Sequence, residues 1–223
     1  MTTTSATTVN APAPAGPPPI HELVKEIANA HIRKLQGGYL NDRPEAVAAL
    51  ARIRRGVGKP LHAVPDLWGL EGTDRLYTDI PDRRENERLR AENAVHIAVT
   101  LWAVHQQSRR DSPMHVAGGP QLGRAVRALM PGDDIDEPLR RRFVRIGTAT
   151  SLDTLAQRLR DVVLVLRQHT QAMDYAALAE QIYHWQMPDR RARVRRDWGR
   201  NFHARAQQGT PDTQGTEQTK EAS

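Results

Sequence analysis

The residues of this chain best suited to chemistry are its arginines. They gather in three places: Arg52, Arg54 and Arg55; then Arg140, Arg141, Arg142 and Arg145; then Arg190, Arg191, Arg193, Arg195, Arg196, Arg200 and Arg205, against only Asp189 and Asp197 in that last stretch. A guanidinium carries its donors in a planar fork that meets phosphate oxygens two at a time and stacks on bases, so such clusters suit a nucleic-acid backbone. The 32 basic residues include only four lysines (Lys25, Lys34, Lys59 and Lys220), and the formal net charge is +6. Composition alone does not separate a nucleic-acid partner from GC-rich codon usage, which also favours Arg over Lys. Distribution adds to it: residues 20–110 hold 15 basic against 12 acidic side chains, and residues 111–206 hold 16 against 11. The excess lies in the part expected to fold.

Other chemistries find little support. The nine histidines are scattered, with no HExxH and no two histidines four apart on one helix, so no metal site is expected. A GxSxG elbow is missing, and GVGK at residues 56–59 lacks the phosphate-loop spacing and runs into Pro60. Acidic pairs such as Glu85 with Glu87, or Asp133 with Asp134, sit at helix starts, where carboxylates belong in any case. His31, His96 and His105 fall on or near apolar helix faces and read as core or boundary residues. The chain is therefore expected to be no enzyme and to need no cofactor.

Ala, Leu, Arg, Glu and Gln dominate and strand-formers are sparse, which predicts an all-α fold. Cysteine is absent, excluding disulfides and thiolate chemistry and fitting a reducing cytoplasm. No apolar run reaches the ~20 residues of a membrane span, and the N-terminus has no signal-peptide pattern. Residues 1–19 and 207–223 are polar or proline-rich and are expected to be disordered tails. Between them the spacing predicts two small helical bundles, over 20–112 and 119–206, joined by the breaker-rich segment Ser112 to Pro120.

In the first bundle, a helix from Ile20 aligns Leu23, Val24, Ile27, His31 and Leu35 and is expected to stop at Gly37-Gly38. Asp42 is placed to cap a second helix bearing Val47, Leu50 and Ile53. Leu67 and Trp68 should dock into the core. A long helix from about Arg84 to Gln107 is apolar on all sides from Ala94 to Val104, which predicts burial on all sides. In the second bundle, Asp136, Ser151 and Asp174 are expected N-caps. Trp68, Trp102, Trp185 and Trp198 could stack on bases, but at helical spacing with apolar neighbours most read as core anchors, and only the arginines around Trp198 leave its place open.

Three stretches, taken in order, resemble the CasB family, the small subunit of the type I-E CRISPR Cascade surveillance complex. They are ALARIRRGVGKPLHAVPDLWGL from Ala49 to Leu70, QLGRAVRAL from Gln121 to Leu129 with the following helix ending RRRFVRIGTA, and MDYAALAEQIYHWQMPDRRARVRRDWGRNFH from Met173 to His203. The resemblance implies a non-catalytic protein of two helical bundles, present in two copies among the other Cascade subunits. It further implies contact with target DNA and the displaced strand alongside crRNA, stabilising the R-loop. Carried over by motif, Arg54, Arg55, Arg141, Arg142 and Arg145 become nucleic-acid contacts, with Arg158, Arg160, Arg190 and Arg191 in looser register. The two tails have no counterpart in the family pattern.

Two other readings remain open from the residues alone. A free-standing DNA- or RNA-binding regulator would use the last helix for sequence-selective recognition. A protein scaffold would use the same arginines only to neutralise acidic partners.

Overall fold

The computed structural model describes residues 18–79, 83–130, 132 and 134–204; both expected tails fall almost wholly outside this range. Among the described residues the chain forms nine α-helices and no strand: α1 Ile20–Leu40, α2 Pro44–Ile53, α3 Arg75–Thr78, α4 Glu85–Gln106, α5 Leu122–Arg127, α6 Glu137–Gly147, α7 Leu152–Gln168, α8 Tyr175–Trp185 and α9 Pro188–His203. The all-α expectation holds. No helix among these residues is long and apolar enough to cross a membrane.

The sequence explains where the helices begin. Asp136 accepts from the Leu139 N–H, Ser151 from the Thr154 N–H, and Asp174 from the N–H groups of Ala176 and Ala177, each satisfying donors that a helix start leaves unpaired. Proline occupies the first turn of α2, α6 and α9, where its missing N–H costs nothing.

Every residue of α4 from Ala94 to Gln106 is buried, as its all-round apolarity requires. It is the centre of the molecule, with α1, α7 and α8 against it, and α1 also packs along α8. The α5 helix lies on α9, where Gly123 permits backbone contact. A Cβ at that glycine would stand 2.4 Å from the Trp198 carbonyl oxygen and 2.7 Å from the Phe202 nitrogen. Buried side chains from α1 through α9 form one continuous apolar cluster.

The segment between α4 and α5 is pinned rather than loose. The buried amide of Gln36 donates to the His115 carbonyl at 3.0 Å, and its oxygen accepts from the His115 N–H at 2.9 Å and from Trp102 Nε1 at 3.2 Å. His115 also bridges to Met173, and its Nδ1 accepts from the Tyr175 N–H at 3.1 Å. That bond leaves the proton on Nε2, which donates to Asn29 Oδ1 at 3.0 Å. Burial keeps this imidazole neutral by lowering its pKa.

Three local expectations are corrected. The first helix runs through Gly37-Gly38 to Leu40, because Gly38 serves close packing instead of termination: a Cβ there would stand 2.7 Å from that of Ala46 on α2. Asp42 caps nothing. It takes a left-handed backbone, φ 53°, and ion-pairs with Arg110, while Arg43 holds the N-cap position of α2 without a side-chain cap. Trp68 does not dock; it is 67% exposed, while its neighbour Leu67 fills the space beside Gly56. Of the tryptophans left open, Trp198 is buried at 2% and donates to Gln181.

Candidate nucleic-acid interface

The α6 helix carries the densest exposed charge. Leu139, Phe143 and Ile146 face inward, and Phe143 stacks on Phe202 of α9 at 5.0 Å, fixing the rotation of the helix. At about 100° per residue, Arg141 and Arg145 then stand one turn apart on the face opposite the core, with Arg142 about 100° round from Arg141. All three are exposed. Only Nε of Arg141 is engaged, by the Glu137 carbonyl at 3.3 Å; Arg142 and Arg145 have no hydrogen bond or ion pair from their side chains to another described residue. The neighbouring Arg140 is tied to Glu137.

The corner between α6 and α7 is held by other arginines. Arg158 donates to the Arg145 carbonyl and to Thr148 Oγ1, Arg195 donates to the Ala149 carbonyl at 2.7 Å, and Arg191 reaches the Thr150 carbonyl at 3.5 Å. Arg191 also donates to the Trp185 carbonyl at 3.1 Å and lies over the Trp185 ring at 4.1 Å. The Arg145 carbonyl already accepts from the Thr148 N–H and hydroxyl, so these guanidinium groups add further donors at the turn that follows α6. Two residues expected as nucleic-acid contacts, Arg158 and Arg191, thus have much of their hydrogen-bonding capacity engaged within the chain. Arg160 and Arg190 are exposed and have no such partners among the described residues.

Arg54 and Arg55 occupy a single 3-10 turn, Arg54–Gly56, at the end of α2, and Arg55 is the more exposed of the two. Arg52, Arg55 and Lys59 line a cleft of about 420 Å³ with Asp66 and Leu67. Gln157 of α7 donates to the Gly58 carbonyl at 2.9 Å, which brings this loop beside the outer face of α7. Arg160 is three residues along that face, with the acids Asp153 and Asp161 also exposed there. The surface from the Arg55 loop across α7 to α6 is therefore basic with acidic interruptions.

A buried ion pair positions that loop. His96 Nδ1 meets Glu71 at 2.8 Å and His96 Nε2 meets the Lys59 carbonyl at 2.9 Å; both partners are acceptors only. The doubly protonated imidazolium is the one form that satisfies both. Burial on its own would depress the His96 pKa, but the Glu71 hydrogen bond and charge, with the Lys59 carbonyl, leave it raised on balance. His105 lies at the opposite extreme: burial, with Arg109 and Arg167 adding repulsion, pushes it down to about 3, so it stays neutral and bonds the Tyr175 hydroxyl at 2.8 Å.

One group escaped sequence reasoning. His21 on α1 meets Glu180 and His184 on α8, with ligand atoms all within 4.8 Å of one another. Glu180 and His184 are four apart on one helix, but the third member comes from more than 150 residues away, and no local pattern announces it.

A family model described as CRISPR-associated protein Cse2 matches residues 49–203. The structure of CasB from Thermobifida fusca is 49% identical in sequence, with 83% of this chain and 98% of that chain covered at a TM-score of 0.73. A CRISPR-associated protein of the Cse2 family from Thermus thermophilus shares the fold at 24% identity, over 82% of this chain and 96% of that one, with a TM-score of 0.56. A chain of a CRISPR RNA-guided surveillance complex does so at 23% identity, over 81% and 93%, with a TM-score of 0.57. No curated protein matches.

Proposed function

The chain belongs to the CRISPR-associated Cse2 family, and from that premise we propose that it is the non-catalytic small subunit of a type I-E Cascade complex in the cytoplasm, holding nucleic-acid backbone so that an R-loop persists. Its partners are the other Cascade subunits, a second copy of itself, crRNA, and target DNA including the displaced strand. The observation that carries the reading is the exposed trio on α6, whose guanidinium groups are largely unengaged by other described residues. Arg55, Arg160 and Arg190 extend the contact, with Arg54 at the edge of the same loop. Arg158 and Arg191 lie at the corner that presents Arg145 and contribute by fixing it.

The physics suits a sequence-blind grip. The RNA–DNA hybrid of an R-loop is about as stable as the duplex it replaces, so modest binding to backbone decides whether the bubble persists. Arginine forks supply that without reading bases.

The test is target binding and R-loop lifetime in the cognate complex assembled without this chain, then with wild type or the Arg141→Ala plus Arg142→Ala double variant added back. Restoration by wild type alone supports both subunit and site. Restoration by both moves the contacts elsewhere, and restoration by neither favours a free-standing regulator.

A further inference from the structure

We propose that His21, Glu180 and His184 form a binding site for a zinc-class divalent ion that ties the first turn of α1 to the last turn of α8. Two imidazoles and one carboxylate are a donor set that zinc accepts, with a fourth position left for water. Their ligand atoms lie within 4.8 Å of one another, and all three side chains are half-buried. In a tetrahedral site with metal–ligand bonds near 2.0–2.1 Å the donors sit about 3.4 Å apart, so closure asks for a movement of up to about 1.4 Å between the most distant pair.

The surroundings permit it. The imidazole rings of His21 and His184 lie 4.8 Å apart, and the buried Nδ1 of His184 has no hydrogen-bond partner among the described residues. Glu180 gives one oxygen to Lys25 at 3.3 Å, a pair whose lysine is half exposed and able to swing away. The group opens onto a cleft of about 540 Å³ that also carries Arg190, Arg193 and Arg200. Those charges oppose a cation, but Asp197 already pairs with Arg200 at 3.5 Å and Arg193 at 3.9 Å, which leaves Arg190 as the chief opponent.

The experiment is zinc titration of the untagged, full-length chain by calorimetry, with thermal melting in parallel. Wild type should bind one equivalent saturably and melt about 5–10 °C higher at a hundredfold excess over the dissociation constant. His21→Ala, His184→Ala and the near-isosteric Glu180→Gln should keep their zinc-free melting temperatures within a few degrees of wild type. Each histidine variant should weaken binding by about 100-fold or more, beyond what outer-shell partners typically contribute. His21 is half-buried and its removal leaves the core intact, so that variant reads the site without confusing it with unfolding. No saturable binding by wild type, or equal binding by the variants through the other seven histidines, overturns the proposal.

Discussion

Alanine at Arg141, Arg142 and Arg145 removes three exposed charges of α6, of which only Arg141 contacts another described residue, its own helix's Glu137 carbonyl. If each meets one phosphate of a single strand, the slope of log affinity against log salt should flatten by about 0.7 per residue, or about 2 in all. Between 50 and 200 mM salt, the advantage of wild type over the triple variant should then shrink by about 20-fold. The assay is equilibrium binding of target DNA by the assembled complex at four or five salt concentrations in that range. Thermal melting of the isolated variants should show the triple variant within about 2 °C of wild type, since exposed charges that make at most one long hydrogen bond contribute little to stability. Arg158→Ala is the contrasting control, because its guanidinium holds the Arg145 and Thr148 corner. It should melt lower while changing the slope by less than half of one arginine's share. An unchanged slope in the triple variant, or an equal loss in Arg158→Ala, would refute the division between presented and clamping arginines.

Three other outcomes are expected. Gly123→Ala forces a methyl to 2.4 Å from the Trp198 carbonyl and should cost about 3 kcal/mol, lowering the melting temperature by about 6–12 °C; Gly37→Ala, with nothing within 4 Å, should instead stabilise by about 0.5–1 kcal/mol. Asp174→Ala strips acceptors from the N–H groups of Ala176, Ala177 and Gly118 and should cost about 2–3 kcal/mol in denaturant unfolding, far more than the exposed cap Ser151→Ala at about 1 kcal/mol. Because the folded pKa of His96 is raised, its pair with Glu71 contributes stability that is full below the unfolded value of about 6.5 and is lost as pH rises through the folded value. His105, depressed to about 3, acts oppositely, adding stability above about 6.5 that fades as pH falls towards 3. Glu71→Gln should lower the His96 pKa measured by NMR and flatten the alkaline side of the stability profile; an unmoved His96 would show that the imidazolium is held by something else.

What the sequence revealed depended on range. Caps at Asp136, Ser151 and Asp174, and the buried run of α4, follow from side chains acting within one or two turns, and these were legible. Gly37-Gly38 misled because a glycine pair ends a helix only if nothing needs its missing Cβ, and here Ala46 of α2 does. Trp68 misled because turn residues next to a buried leucine need not share its direction. The arginines were legible as clusters but not as roles: Arg145 and Arg158 look alike in sequence, and only the placement of the Arg145 carbonyl and the Thr148 hydroxyl beside Arg158 tells a presented charge from a clamp. Likewise Gln36 gave no local sign that it would grip the His115 backbone 79 residues on.

The packing of α1 along α8 has a consequence for synthesis. Lys25 and Glu180, which touch across that contact, are 155 positions apart, so at roughly 5–20 residues per second the ribosome makes α1 about 8–30 s before its main partner exists. During that interval α2 and then α4 shield part of the apolar stripe, and the remainder is open to chaperones or to a second nascent copy. A pause engineered before codon 175 would lengthen this window, and soluble yield would then measure how well the half-built chain protects itself.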